Sequence, residues 1–287
     1  MKILVTGVKG QLGYDCVREL NERGYTRVLG VDIEDLDITD EAAVQKLVSD
    51  YRPDVVMHNA AWTAVDKAEE FPQKVYEVNA LGTKYLAEAC KSVGAKLVYI
   101  STDYVFDGQG DKFYEVNDKR GGLSVYGRTK AAGEDFVTAV LDKYFIVRIS
   151  WVFGKNGNNF VKTMLSLAKA GRTQLNVVCD QIGSPTYTYD LSKLLCDMIE
   201  TEKYGVYHAT NEGVCSWYEF AVEIFRKAKL GVKVNPVTTQ EYFKSAPKQA
   251  ARPLNSRMSK NSLTEQGFQK LPSWQSALER FMKEINE

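Results

Sequence analysis

Apolar residues in the first 150 positions come as short, unbroken, β-branched runs, separated by stretches with helical spacing. "KILVTG" leads into "QLGYDCVRELNERG", whose apolar positions recur every three or four residues and which ends on Gly24, a residue suited to a C-cap. "RVLGVD" predicts a second strand. "TDEAAVQKLVSDY" predicts a helix with Thr39 as N-cap and acids in its first turn, and Pro53 closes that segment. "DVVMHNAA", a helical stretch from about Phe71 to Val93, "KLVYIST", a helix in "SVYGRTKAAGE" and "YFIVRIS" follow. The strand runs are continuous rather than alternating, as expected when both faces of a sheet are covered. Strands alternating with helices predict an α/β fold: a doubly wound, Rossmann-like parallel sheet with right-handed crossovers.

After Ser150 the rhythm loosens. "NNFVKTMLSLAKAG", "YDLSKLLCDMIETE" and "SWYEFAVEIFRKAKLG" read as helices, and "GVYHATNE" as a strand able to rejoin the sheet. Residues 235–260 hold three of the seven prolines and read as loop, and a last helix runs near Trp274 to Ile285. The expected organisation is a dinucleotide-binding domain over 1–150, with 204–229 returning to it. A smaller C-terminal substrate lobe takes 151–203 and 230–287. A ligand is expected in the crevice between them.

Composition narrows the function classes. The chain has 287 residues, 44% of them hydrophobic and 26% charged, with 37 basic residues against 37 acidic. That balance gives no electrostatic case for a nucleic-acid or anionic-membrane partner. No apolar run approaches the roughly 20 residues of a membrane span. The apolar run in "MKILVTG" is too short for a signal sequence. Five scattered cysteines, Cys16, Cys90, Cys179, Cys196 and Cys215, with no C-x-x-C, suit reduced thiols in a cytoplasmic protein. With His58 and His208 as the two histidines, a histidine-rich zinc site is excluded and a Ser-His-Asp hydrolase is weakly supported. No metal site is expected.

The chemistry gathers at predicted strand ends. "VTGVKGQLG" places Gly7, Gly10 and Gly13 directly after the first strand and at the opening of the first helix, with Gln11 and Leu12 in the same turn. Glycines suit a tight turn, a close approach to a pyrophosphate and helix–strand packing, and the helix N-terminus offers N–H groups to the anion. Asp32 ends the second strand where a carboxylate can bond adenosine ribose hydroxyls and repel a 2′-phosphate. The expected cofactor is therefore NADH or NADPH with a lean to NADH, although Arg27 or Lys9 can serve a phosphate. Asp37 and Ile38 stand where a loop can cover the adenine. Asn59, Ala60 and Ala61 close a strand with small residues against which a cofactor can lie.

"YISTDYVFDG" brings Ser101, Thr102 and Asp103 to a carboxyl strand edge, and Tyr126 lies one helical turn ahead of Lys130 on the next helix. A hydroxyl donor, a phenol and an ammonium beside a dinucleotide site suit carbonyl reduction. The alkoxide left by hydride addition needs a proton, and Tyr126 can supply it. Moving a phenol from a pKa of about 10 to near 7 takes about 4 kcal/mol. One cation at about 4 Å supplies about that much at an effective dielectric near 20, so Lys130 is expected to lower Tyr126. Gly127 is expected to let a flat ligand approach the helix backbone.

With these residues, with "NAA" and with Asn79 in "VNALGT", the chain resembles the extended short-chain dehydrogenase/reductase superfamily. "NAAWTAVDKAE", "STDYVFDG", "VYGRTKAAGE", "SWVFG", "DQIGSPTY" and "ARPLNSRMSK" narrow the resemblance to the dTDP-4-dehydrorhamnose reductase family over nearly the whole chain. The resemblance implies reduction of a dTDP-4-keto-6-deoxy sugar by NAD(P)H in dTDP-rhamnose synthesis. Thr102, Tyr126 and Lys130 would be the catalytic set, with Asn79 and Thr63 near the cofactor. It also implies substrate contacts from Val65, Asp103 and Trp151, with Asn158, Asn159, Arg252 and Arg257 as candidates for the diphosphate. A homodimer is compatible with it.

Two other readings stay open. Sugar-nucleotide epimerases and dehydratases share the superfamily, but the dehydratases follow the threonine with Asp-Glu, and here Asp103 is followed by Tyr104. A binding subunit resembling the regulatory subunit of methionine adenosyltransferase could keep all three catalytic residues.

Overall fold

The computed structural model describes residues 1–245 and 249–286. The first half runs β1 (Ile3–Thr6), α1 (Gln11–Glu22), β2 (Val28–Val31), α2 (Glu41–Tyr51), β3 (Val55–His58), α3 (Val65–Glu70), α4 (Pro72–Tyr76), α5 (Gly82–Val93), β4 (Lys96–Thr102), α6 (Val125–Val140) and β5 (Tyr144–Ile149). Then come β6 (Val152–Phe153), α7 (Phe160–Lys169), β7 (Gln174–Val178), β8 (Ile182–Gly183), β9 (Thr186–Tyr187) and α8 (Thr188–Ile199). The chain continues through β10 (Gly205–His208), β11 (Cys215–Ser216), α9 (Trp217–Ala228), β12 (Lys233–Val237), α10 (Thr239–Ser245), α11 (Asn261–Glu265) and α12 (Trp274–Glu284).

Six parallel strands form the central sheet in the order β10-β5-β4-β3-β1-β2. The order reverses beside β1, so β1 and β3 part their outgoing chains on opposite sides and leave a crevice at their carboxyl ends. One face of the sheet buries Val5, Met57, Val98 and Val147 against α1 and α8, and the other buries Leu4, Val56, Leu97 and Ile146 against α2, α5 and α6. Apolar side chains on both faces explain the unbroken strand runs.

A third cluster builds the smaller lobe from Phe153, Val161, Phe220, Ile224, Trp274 and Phe281. This packing differs from the expected partition in two helices. Leu191, Leu195 and Ile199 of α8 join the sheet core, and the Thr188 hydroxyl donates to buried Asp15 of α1. Phe220, Ile224 and Phe225 of α9 pack in the smaller lobe although the preceding β10 pairs with β5. Which way a helix turns its apolar stripe depends on its crossing over the sheet, which local periodicity does not encode.

Two local expectations are corrected and one is refined. Asp40 rather than Thr39 caps α2, its Oδ1 accepting from Ala43 N at 3.0 Å, because the Thr39 hydroxyl donates to Asp37 at 2.7 Å. The expected helical stretch from about Phe71 to Val93 is continuous: Pro72 starts α4, Glu77–Leu81 winds as a π-helical turn, and α5 follows without a break. The loop-rich 235–260 stretch contains the end of β12 and all of α10, while its residues 246–248 lie outside the described residues. No described helix is long and apolar enough to cross a membrane.

Candidate active site

The cleft follows from where the sheet ends. It encloses about 690 Å³ and runs from the β1–α1 turn past β3 and β4 to the start of the smaller lobe. Backbone sterics shape its dinucleotide end. Gly7 has φ +70°, and a Cβ there would stand 2.8 Å from Ala60 N. A Cβ on Gly13 would come within 2.1 Å of Gly7 O. The glycines thus let the turn close on itself and on the "NAA" segment, and Gly10 N donates to Gly7 O at 3.0 Å. Gly10 caps α1 with no side-chain bond, so the first N–H groups of α1 keep their anion-binding capacity.

Asp32 sits at the rim just after β2. Its Oδ2 accepts from Lys9 N at 2.8 Å and its Oδ1 from Ile33 N at 2.9 Å, which fixes the carboxylate. The Lys9 ammonium pairs with Glu34 at 2.8 Å on the same rim. Asp37 and Ile38 also line the cleft, and Asp37 holds the Thr39 turn. Asn59 lines the cleft, and its Oδ1 is buried without a hydrogen-bond partner among the described residues. A glycine cradle, a bare helix N-terminus and an unsatisfied acceptor together fit a dinucleotide.

The chemical end is built by β4 and α6. Thr102, the last residue of β4, is buried; its hydroxyl donates to Asp103 Oδ1 at 2.9 Å and accepts from Tyr104 N at 3.2 Å. Ser124 caps α6 by accepting from Gly127 N at 3.1 Å, and Val125 N donates to Glu69 at 2.8 Å, so the first turn of α6 is anchored from both sides. That anchoring aims Tyr126 into the cleft, edge-on to the Tyr104 ring at 5.5 Å. Lys130 is buried one turn later with its ammonium 4.0 Å over the Tyr99 ring.

The electrostatics correct the expected tuning. Burial pushes the Tyr126 phenol up to about 12, and the nearby Asp103 charge adds to the rise. Burial pulls Lys130 down to about 7, opposed by the charge of Glu134. Burial is the largest cause of both shifts, and the ammonium rests on the Tyr99 ring. Tyr126 therefore carries its proton across the neutral range. Gly127 also differs from expectation. Its absent side chain makes room for Tyr104, whose carbonyl oxygen would lie 2.1 Å from a Cβ.

Most expected residues share this cleft: Gly7, Gly10, Gln11, Leu12, Gly13, Asp32, Asp37, Ile38, Asn59, Ala60, Ala61, Thr63, Val65, Thr102, Asp103, Tyr126, Lys130, Trp151 and Asn158. Four lie outside its lining. Asn79, buried on the π-helical turn, accepts from Trp62 N at 2.8 Å and donates to Thr129 at 3.2 Å, tying the cleft wall to α6. Asn159 caps α7 and donates to Gln11 at 3.0 Å. Arg252 makes a two-pronged pair with Asp66, both bonds 2.9 Å, and Arg257 donates to Asn255 at 3.0 Å. Both histidines are buried with pKa values lowered to about 3 and stay neutral. Among the described residues, no three His, Cys, Asp or Glu side chains are grouped to hold a metal.

Trp62 and Tyr104 line the cleft without having been singled out for it, and Ser101 lines it beside Thr102 as its strand-end position suggested. Tyr104 had a signal, standing next to Asp103 in "STDYVFDG". Trp62 had little, since an aromatic after a strand end reads equally well as core. Trp151 holds φ +51°, and its indole stacks on Trp217 at 3.7 Å and 13°. A left-handed backbone in a bulky residue at the cleft wall marks a position that packing enforces.

The whole chain, residues 1–287, matches the model of the RmlD substrate binding domain. The chain belongs to that family. It is 42% identical over 291 residues to a dTDP-4-dehydrorhamnose reductase of Aggregatibacter actinomycetemcomitans, covering 96% of this chain and 97% of the relative. It is 39% identical over 283 residues to the spore coat polysaccharide biosynthesis protein SpsK of Bacillus subtilis, covering 99% and 97%. A crystal structure of dTDP-4-dehydrorhamnose reductase from Bacillus anthracis in complex with NADP superposes with a TM-score of 0.94 at 46% identity, covering 99% of this chain and 100% of that one. The family and the cleft agree on a nicotinamide-dependent oxidoreductase.

Proposed function

We propose that the protein reduces the 4-keto group of dTDP-4-dehydro-6-deoxy-L-mannose to give dTDP-L-rhamnose, with Tyr126 as the proton donor. The observation that carries this reading is one cleft lined by the glycine turn at one end and by Thr102, Tyr126 and Lys130 at the other. When bound, the reduced nicotinamide supplies a hydride to the carbonyl carbon. Thr102 turns its hydroxyl onto the carbonyl oxygen, where negative charge develops. Tyr126 releases its proton to that oxygen as the charge grows, which matches the two pKa values at the moment of transfer. The Lys130 ammonium supports the charge left on Tyr126 and can bond the nicotinamide ribose. Trp151 walls the sugar, and Asn158 stands at the lobe side of the cleft for the diphosphate. Asn79 acts indirectly, by holding Trp62 against α6.

At the adenosine end, the fixed Asp32 carboxylate favours NADH, and Lys9 on the same rim lets NADPH bind. The test is the fall in reduced-nicotinamide absorbance on adding the dTDP-4-keto sugar, with NADH and NADPH in parallel. Tyr126→Phe is expected to lose roughly 10²–10⁴-fold in rate while still binding cofactor. An unchanged rate in that variant removes Tyr126 from the mechanism. No turnover by the parent protein with either cofactor removes the activity.

A further inference from the structure

The segment 249–260 crosses from the outer wall of the cleft to its chemical end. Arg252 and Ala250 N are held by Asp66, and Asn255 N donates to Gly108 O at 2.9 Å. Ser256 N then donates to Ile182 O at 2.7 Å, which fixes the next side chain. Ser256 is buried, and its hydroxyl donates to Asp103 Oδ2 at 2.5 Å. Space for it comes from Gly183: a Cβ there would stand 3.0 Å from Ser256 Cβ and 2.8 Å from the Trp151 indole.

Asp103 is thus a buried carboxylate with Thr102 on one oxygen and Ser256 on the other. Burial raises its pKa to about 6, and both hydroxyls oppose that rise. Thr102 has a single hydroxyl proton, and in this structure Asp103 receives it. To bond a carbonyl oxygen, Thr102 must withdraw that proton from a buried carboxylate, and leaving such a group short of donors is costly. Ser256 keeps a charge-assisted bond on the other oxygen throughout.

We propose that Ser256 is a positioning residue for the reduction, holding Asp103 so that the Thr102 hydroxyl can turn onto the substrate carbonyl. Without it, the carboxylate retains the Thr102 proton more strongly, and the penalty falls on the step in which that proton is needed. This rests on the role given to Thr102 above.

The experiment is a double-mutant cycle on the full chain, read in steady-state reduction of the dTDP-4-keto sugar. Ser256→Ala is expected to lower kcat about tenfold, the size of one charge-assisted hydrogen bond, with a cofactor dissociation constant close to that of the parent and a melting temperature lowered by the bond that buried Asp103 loses. In an Asp103→Asn background the same change is expected to cost little more, because the group through which Ser256 acts is already altered. An unchanged kcat in Ser256→Ala overturns the proposal. So does a loss repeated in full in the Asp103→Asn background, which is what a packing role would produce. Should Ser256→Ala fail to fold, Ser256→Cys, which keeps the volume and weakens the donor, enters the same cycle. Thr102→Val separates the two ideas: a slow Thr102→Val beside a normal Ser256→Ala removes Ser256 alone, whereas a normal Thr102→Val removes the reading of Thr102 as well.

Discussion

Lys130→Met is expected to stabilise the protein while disabling it. The ammonium is buried, with Glu134 opposing its loss of charge, and its pKa falls from an ordinary 10.5 to about 7. The folded state therefore disfavours the charged lysine. At 1.36 kcal/mol per pH unit, that gap corresponds to about 5 kcal/mol of destabilisation at pH well below 7. The sign follows from proton counting. Between about pH 7 and 10 the unfolded chain holds a proton on Lys130 that the folded chain has released, so this residue makes stability rise with pH across that window. Methionine has a similar length and no charge, and it removes both the penalty and its pH dependence. Urea unfolding of parent and variant at pH 6, 7, 8 and 9 provides the assay. The variant is expected to be more stable by several kcal/mol at pH 6, with the advantage shrinking by up to about 1.4 kcal/mol per pH unit above pH 7. Other titrating groups cancel in the difference. Parallel stability curves, or a less stable variant at every pH, would refute a desolvated ammonium at this site. The stabilised variant should reduce substrate far more slowly than the parent, the usual exchange between stability and a strained active site.

Three further outcomes are expected. Gly127→Ala should gain about 1 kcal/mol of helix propensity, yet the clash with the Tyr104 carbonyl should outweigh it and lower the melting temperature by a few degrees. Gly231→Ala, which meets nothing within 4 Å, is the neutral control, and equal melting temperatures for the two variants would dismiss the Tyr104 contact. Asp32→Ala should move the ratio of kcat/KM for NADPH over NADH about tenfold towards NADPH, from a lost ribose bond and a lost like charge; an unmoved ratio would place the ribose elsewhere. Asp66→Ala removes the acceptor of Ala250 N and the partner of Arg252. Because Asp66 is part-exposed, the stability cost should be about 1 kcal/mol or less, whereas amide exchange at Ala250 should rise, and unchanged exchange would mean that the segment is held by its other bonds.

The doubly wound parallel sheet and the glycine turn were legible because each rests on local chemistry. Unbroken β-branched runs require two covered faces, and Gly7 and Gly13 mark places where a Cβ collides with backbone. The positions of Thr102, Tyr126 and Lys130 were legible for a related reason: strand ends and one-turn spacing put them at one edge whatever the rest of the chain does. Their electrostatics were not. Coulomb's law alone predicted a lowered Tyr126, whereas burial raised it and set Lys130 over Tyr99, a neighbour thirty-one residues earlier in the chain. Asn159 and Arg252 carry side chains that suit a diphosphate, and the fold engages them with Gly154 and Asp66 instead. The link from Ser256 to Asp103 spans 153 residues and arises where the crossing segment meets the end of β4. The sequence by itself determined which residues stand at the sheet edge, because backbone sterics and periodicity act over a few positions. The tertiary structure decided which of them are desolvated and what each one touches, because burial and pairing are set by residues that meet only when the chain has folded.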